Sequence, residues 1–175
     1  NSNSTSRIAF SAFPRDSTIN LPGSQIRASR FSLFCLGSIK SIAMQNPRRL
    51  FDCLEWQLAN KPLDDMLAAK EGGQWKKYST EQVKDIVDRF SAGLIAMGIG
   101  PGDGTAEGRD KIAVISKNRP EWVMLDLAVQ QIGAILTPIY PTISVNELEF
   151  VLTDAAVKMV FVNDEELFLK VSTLK

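Results

Sequence analysis

The chain has 175 residues, of which 45% are hydrophobic and 23% are charged, and it contains no histidine. Its 20 basic and 20 acidic residues balance to a net charge of zero, which gives no electrostatic reason to expect a nucleic-acid partner. Without histidine the chain lacks the commonest general base and the commonest metal ligand, and no apolar run approaches the roughly 18 residues that a transmembrane segment needs.

Residues 1–43 differ in composition from the rest of the chain. They are rich in serine and carry five basic residues against one acidic residue, which is the composition of a transit peptide. The first methionine, however, is Met44, and periodic apolar patterns begin only after it. We therefore expect residues 1–43 to be disordered and to lie outside the fold. They are either sequence upstream of the natural start or a targeting segment.

Residues 44–175 are predicted to hold the folded domain, which begins with a helix and a hairpin. Leu50, Phe51, Leu54 and Leu58 share one helical face, and a proline follows shortly after them. Two short strands then flank a Gly-Gly pair at residues 72–73, which suits the positive φ angles of a two-residue hairpin turn.

The next helix has signals at both ends. Ser79 and Gln82 match a capping box, in which each side chain accepts a hydrogen bond from a free amide of the first turn. An apolar stripe at helical spacing follows, and Gly98 and Gly100 are expected to end the helix in a left-handed residue.

Strands and helices alternate over the remainder of the chain. Apolar runs at 112–115, 134–140 and 158–163 predict strands, and a helical pattern follows each of them. Pro120 suits the first turn of one helix, Ser144 with Glu147 forms a second capping box, and Asn163 with Glu166 is predicted to cap the last helix. Such alternation predicts an α/β fold, the incomplete N-terminal part of a doubly wound parallel sheet.

The segment 98–108 holds five glycines in eleven residues and resembles a phosphate-binding loop only in composition. Phosphate loops run from a strand into a helix, so that backbone amides and the positive helix end face the anion. Here the glycines follow a helix and precede a strand, and Asp103 stands where the dinucleotide-binding pattern requires glycine. We therefore interpret the segment as a helix stop and a surface loop.

Two turns after predicted strands offer polar groups where α/β proteins place ligands. Residues 118–122 (NRPEW) contain a helix-starting proline and a large aromatic residue, which have adequate structural roles. Residues 138–142 (PIYPT) form the second turn, where Tyr140 is a candidate substrate contact, although a rigid turn explains the pattern at least as well. No catalytic, cofactor-binding or metal-binding residue is predicted.

The order of these motifs resembles the N-terminal part of the AMP-forming acyl-CoA synthetases. The resemblance covers residues 44–175 and rests on Trp75 and Tyr78, on the segment 98–103, on NRPEW and on PIYPT. It is closest to the long-chain fatty acid–CoA ligases, and it implies that the chain is an inactive fragment. The catalytic motifs of that family, a Ser/Thr/Gly-rich loop ending in lysine, a metal-binding glutamate and a C-terminal lysine, lie beyond Lys175.

The resemblance implies a two-step reaction for the full-length enzyme. A fatty acid attacks the α-phosphate of ATP, with Mg²⁺ as the metal, and coenzyme A then displaces AMP from the acyl-adenylate. It also implies small-molecule partners and a cytoplasmic enzyme, with peripheral membrane contact left open. Two alternatives remain: another adenylate-forming acid–thiol ligase, and a non-catalytic, free-standing α/β binding module.

Overall fold

The main sheet of the protein is parallel and has helices on both faces. The computed structural model describes the backbone of residues 8–11 and the residues 47–174. The sheet has the spatial order β1 (Ile8–Ser11), β6 (Val157–Val162), β4 (Lys111–Ile115) and β5 (Ile135–Ile139). A separate antiparallel hairpin consists of β2 (Leu67–Glu71) and β3 (Gln74–Tyr78). The helices are α1 (Asp52–Asn60), α2 (Thr80–Ala96), α3 (Pro120–Gln131), α4 (Val145–Asp154) and α5 (Glu165–Ser172).

The central strand β4 is buried on both sides. Ile112 and Val114 pack into one apolar cluster with α2 and α3, whereas Ala113 and Ile115 pack into a second cluster with α4 and α5. All four side chains are fully buried, as expected for a parallel strand covered by helices on both faces. The predicted α/β class with a doubly wound parallel sheet is confirmed.

The direction of the chain reverses around β4. Helix α3 connects β4 to its neighbour β5, and α4 then returns the chain across β4 to β6 on the other side. The turns that leave β4 and β6 therefore lead to helices on opposite faces of the sheet. In doubly wound folds such a reversal opens a crevice at the carboxyl ends of the strands, which is where ligands bind.

Local signals in the sequence predicted several boundaries correctly. The Ser79 hydroxyl accepts from the Gln82 amide at 3.2 Å, and the Gln82 side chain accepts from the Ser79 amide at 2.9 Å. Ser144 and Glu147 form the same reciprocal box at the start of α4. The glycine pair at 72–73 connects β2 to β3, and both glycines have positive φ angles.

Two boundaries differ from the prediction. Helix α1 begins at Asp52, whose carboxylate accepts hydrogen bonds from the backbone amides of Arg48 and Arg49 in the preceding turn, and Leu50 lies outside the helix with 60% of its surface exposed. The last helix is capped by Asp164 rather than by Asn163. The Asp164 Oδ1 atom accepts from the Leu167 amide at 2.9 Å, so the acidic run supplies the cap as well as favourable charge near the helix start.

The edge of the sheet beside β6 is occupied by β1. Residues Ile8–Ser11 pair in parallel with Met159–Val162, which differs from the expectation that residues 1–43 lie wholly outside the fold. The open edge of β6 presents unpaired backbone groups, and an extended segment can satisfy them. The remaining residues of that segment, apart from these four, lie outside the described residues.

Candidate functional site

The carboxyl edge of the sheet carries three turns, one after each of β4, β5 and β6. After β4, Ser116 is buried and its hydroxyl donates to the Lys117 carbonyl at 2.8 Å, while Asn118 is exposed. Arg119 then adopts an extended conformation at the N-cap of α3, and Pro120 is the first helical residue. This turn therefore ends in a helix that is pre-organised by proline, as its sequence predicted.

An ion pair holds this first turn in place. The Arg119 Nε atom donates to Glu121 Oε2 at 2.8 Å, and both side chains are at least two-thirds buried. Burial acts to raise the pKa of Glu121, but the hydrogen bond from Arg119 and the nearby positive charges hold that pKa below its usual value. Glu121 is therefore a paired carboxylate, which is a structural role and not that of a general base.

The turn after β6 contains a buried acceptor. The Asn163 Nδ2 atom donates to Asp164 Oδ2 at 2.9 Å, and within the described part of the chain the buried Asn163 Oδ1 atom has no hydrogen-bond partner. Asn163 was predicted to cap α5, but the N-cap residue is Asp164. Asn163 therefore lies at the strand-order reversal with one acceptor unused.

The turn after β5 has a backbone held by hydrogen bonds and an exposed side chain. The Ile143 amide donates to the Tyr140 carbonyl at 3.1 Å, and the Lys170 ammonium group donates to the Ile143 carbonyl. Hydrogen bonds from Ser144 hold the pKa of Glu147 below its usual value, so the start of α4 is also fixed. The Tyr140 side chain is 85% exposed. Its role as a substrate contact stays a prediction.

An open groove lies between this turn and α4, and we call it the β5–α4 groove. It has a volume of about 760 Å³, and most of its lining is apolar, including Pro138, Tyr140, Ile143, Phe150 and Val151. The Phe150 side chain is 68% exposed. Sequence reasoning missed Phe150, although the signal was present: it is an aromatic residue on the face of α4 opposite the buried Leu148 and Leu152.

The glycine-rich segment lies at the opposite edge of the sheet, between α2 and β4. Gly98 has a φ of +79°, and its amide and that of Ile99 donate to carbonyls of the last turn of α2 at 2.9 and 3.0 Å. The Gly100 amide donates to the carboxylate of Asp110 at 2.9 Å. These three amides already donate to acceptors within the protein, and the carboxylate of Asp110 would repel an anion. The interpretation as a helix stop followed by a surface loop is confirmed.

No three His, Cys, Asp or Glu side chains of residues 47–174 group closely enough to hold a metal ion. None of the described helices combines the length and the apolar character needed to cross a membrane.

The architecture defines a doubly wound α/β domain that places its exposed turns at the carboxyl edge of the sheet. The sequence model of the family described as AMP-binding enzyme matches residues 54–174. The chain belongs to this family of AMP-binding enzymes.

Named relatives are acyl-CoA ligases. The chain is 29% identical over 89 residues to the long-chain-fatty-acid–CoA ligase FadD15 of Mycobacterium bovis, an alignment that covers 51% of this chain and 14% of the relative. It is 34% identical over 77 residues to the mitochondrial medium-chain acyl-CoA ligase ACSF2 of Rattus norvegicus, covering 44% of this chain and 11% of that protein. The chain thus spans less than a fifth of the length of these relatives.

A solved structure has the same fold. The fatty acid AMP ligase of Legionella pneumophila superposes with a TM-score of 0.56 at 19% sequence identity, covering 71% of this chain and 21% of that one. This likeness concerns the fold alone.

Proposed function

We propose that the chain is the N-terminal part of an ATP-dependent long-chain fatty acid–CoA ligase. The observation that carries the proposal is the family match over residues 54–174 together with a relative named as a long-chain-fatty-acid–CoA ligase. Because the match spans only 14% of that relative, the activity belongs to a longer polypeptide.

The proposed reaction has two steps. A carboxylate oxygen of the fatty acid attacks the α-phosphorus of ATP, the bond to the β-phosphate oxygen breaks, and acyl-adenylate and pyrophosphate form. The thiol sulfur of coenzyme A then attacks the acyl carbon, AMP leaves and the thiol proton is lost. Activation is needed because a carboxylate is a poor electrophile, and the developing phosphate charge requires Mg²⁺ and positioned donors.

We assign no catalytic residue to the chain itself. In its glycine-rich segment the amides of Gly98, Ile99 and Gly100 donate to acceptors within the protein, and at the carboxyl edge the Glu121 carboxylate is paired with Arg119. The contribution proposed for residues 47–174 is a rigid part of the domain on which the remaining chain assembles. We expect the 175-residue chain alone to catalyse neither step.

The named relatives differ in the acid that their names specify. ACSF2 is named as a medium-chain ligase, and adenylate-forming enzymes for other acids remain a second candidate. A non-catalytic α/β binding module is the third. A cytoplasmic location is also part of the proposal, and fractionation of cells that express the longer polypeptide would test it, with recovery in mitochondria or membranes as the contrary result.

Acid-dependent exchange of labelled pyrophosphate into ATP tests the proposal. The longer polypeptide encoded by the same reading frame is assayed with hexadecanoate, octanoate and benzoate, and the 175-residue chain is the control. We expect exchange with hexadecanoate to exceed the other rates by at least about tenfold, a modest preference for a site that distinguishes several methylene groups. A preference for octanoate or benzoate would refute the long-chain assignment. If none of the three acids supported exchange, or if the reading frame ended at Lys175, the binding module would be favoured.

A further inference from the structure

The two sides of the main sheet are protected against further strand pairing in different ways. On one side β5 is the last strand, and Pro138 within it has no amide to donate, which blunts the addition of another strand. On the other side β6 contains no proline. Its sequence, VKMVFV, has five apolar residues and a single charge, which is typical of a segment that pairs readily with further strands.

The single charge of β6 does little to protect this edge. The ammonium group of Lys158 forms an ion pair with the buried carboxylate of Asp110. Asp110 directly precedes β4, and β4 lies on the side of β6 opposite β1. The charge is therefore paired toward the interior of the sheet, and it does not repel a strand that approaches the outer edge of β6.

The strand that covers this edge comes from a distant part of the sequence. Ile8–Ser11 pairs in parallel with Met159–Val162, so four of the six residues of β6 have a partner on this side. Strand β1 also lies beside α5. As the new edge, β1 is itself a poor template, because a very short edge strand offers few groups for further pairing. In the sequence a charged residue, Arg7, precedes it and Pro14 follows it closely.

We propose that Ile8–Ser11 is a removable cover of the β6 edge, which keeps two copies of the chain from pairing through β6. Two-fold symmetry would bring two β6 strands together in antiparallel orientation, and each would supply unpaired amides and carbonyls. The inference does not depend on the ligase function, since it concerns only the sheet and the N-terminal segment of this chain.

The length of β1 makes the cover removable. A four-residue strand forms few ladder hydrogen bonds, while the ordering of its residues costs conformational entropy of comparable size. The core of the sheet does not depend on it, because the side chains of β4 pack against α2 and α3 on one face and against α4 and α5 on the other. Strand β1 can therefore detach while the rest of the domain stays folded.

Proline substitution tests the cover in the intact 175-residue chain. Adjacent amides of a strand point to opposite sides, so the β1 variant combines Ala9→Pro with Phe10→Pro and removes whichever of the two amides donates to β6. The control variant combines Ser17→Pro with Thr18→Pro, which places the same two substitutions in the N-terminal segment outside Ile8–Ser11. Ala9→Val is the opposite change, because a β-branched residue favours the extended backbone.

Two measurements are made on the parent chain and on each variant. Hydrogen exchange followed by mass spectrometry reports the protection of the β6 amides, with the amides of β4 as the internal reference. Sedimentation velocity over a range of concentrations reports self-association. A reducing buffer prevents disulfide formation by the exposed Cys53.

We expect the β6 amides that face β1 to exchange at least about tenfold faster in the β1 variant than in the parent at low concentration. As the concentration rises, the β1 variant should form a dimer, and the protection of β6 should return. The parent and the control variant should stay monomeric with unchanged exchange, and Ala9→Val should slow the exchange of β6. The amides of β4 should stay protected throughout.

Four results would overturn the inference. Unchanged exchange of β6 in the β1 variant would show that β1 does not cover the edge. Faster exchange without self-association at any concentration would show that the cover does not prevent pairing. Equal self-association of the parent, the control variant and the β1 variant would place the interface elsewhere. If the β1 variant also lost the protection of β4, Ala9→Val would decide, and an unchanged rate for β6 in that variant would refute the cover.

Discussion

Gly98 and Gly133 end helices α2 and α3 in the same way, but a methyl group has room at only one of them. Both glycines are left-handed, with φ of +79° and +77°, and each lies directly after the C-cap residue of its helix. A Cβ atom built on Gly98 would meet nothing within 4 Å, whereas one on Gly133 would lie 3.1 Å from the Cβ atom of Pro101. The substitutions Gly98→Ala and Gly133→Ala therefore separate backbone strain from crowding.

The expected magnitudes follow from these two terms. A left-handed conformation costs an alanine roughly 1–2 kcal/mol, and the smaller conformational freedom of unfolded alanine offsets about 0.4–1 kcal/mol of that. Gly98→Ala should therefore lower the free energy of unfolding by about 1 kcal/mol. Gly133→Ala should lower it by a further few tenths to 1 kcal/mol, because the Pro101 ring must move or the contact stays too short.

Urea unfolding of the two variants and of the parent chain, followed by circular dichroism, measures the difference. Pro101→Gly removes the opposing Cβ atom. Combined with Gly133→Ala, it should therefore recover the additional loss in the free energy of unfolding. Combined with Gly98→Ala, its effect should simply add, because the two sites do not interact. If Gly98→Ala were as harmful as Gly133→Ala, or if neither changed the unfolding midpoint, the argument from conformation and space would be wrong.

Three further predictions concern the core, a cap and an ion pair. Leu148→Ala should lower the free energy of unfolding by about 2–5 kcal/mol in urea titrations, because Leu148 is fully buried beneath the sheet, and a loss under 1 kcal/mol would contradict that packing. Ser144→Ala should cost about 1 kcal/mol by removing the N-cap of α4, whereas Ser144→Asp should restore most of the loss. Glu121→Gln should cost on the order of 1 kcal/mol at neutral pH. Because the pKa of Glu121 is lowered in the folded protein, its stabilisation is present above the usual value of 4.5 and is lost as the pH falls through the folded value. The difference between parent and Glu121→Gln should therefore shrink in acid, and a pH-independent difference would refute the ion pair.

Structural features that depend only on neighbouring residues, such as helix caps, could be predicted from the sequence. The boxes at Ser79 and Ser144 join residues three apart, and Gly98 closes a helix through its own backbone, so their geometry depends on no distant partner. The alternation of apolar runs likewise indicated a parallel sheet, because each buried strand is followed by a helical stripe.

Features that depend on contacts between distant parts of the chain could not be predicted from the sequence. The sequence does not reveal that β6 lies beside β4, because the strand order arises only when α4 returns across the sheet. The same holds for the Arg119–Glu121 pair, whose strength depends on burial near the hairpin, and for the pairing of Ile8–Ser11 with β6. Local patterns also misplaced the cap of α5 by one residue, since Asn163 and Asp164 have similar capping propensities.

The three turns at the carboxyl edge differ in how their polar groups are satisfied. After β4 the charged groups pair with each other through Arg119 and Glu121, and after β6 Asp164 caps its own helix. After β5 the backbone is held by Lys170 from α5, so the turn is rigid, while the Tyr140 side chain is 85% exposed. A rigid turn that presents an aromatic side chain loses little conformational entropy when that side chain is buried. The turn after β5 therefore combines a fixed backbone with an exposed aromatic side chain, whereas the other two turns satisfy most of their polar groups within the domain.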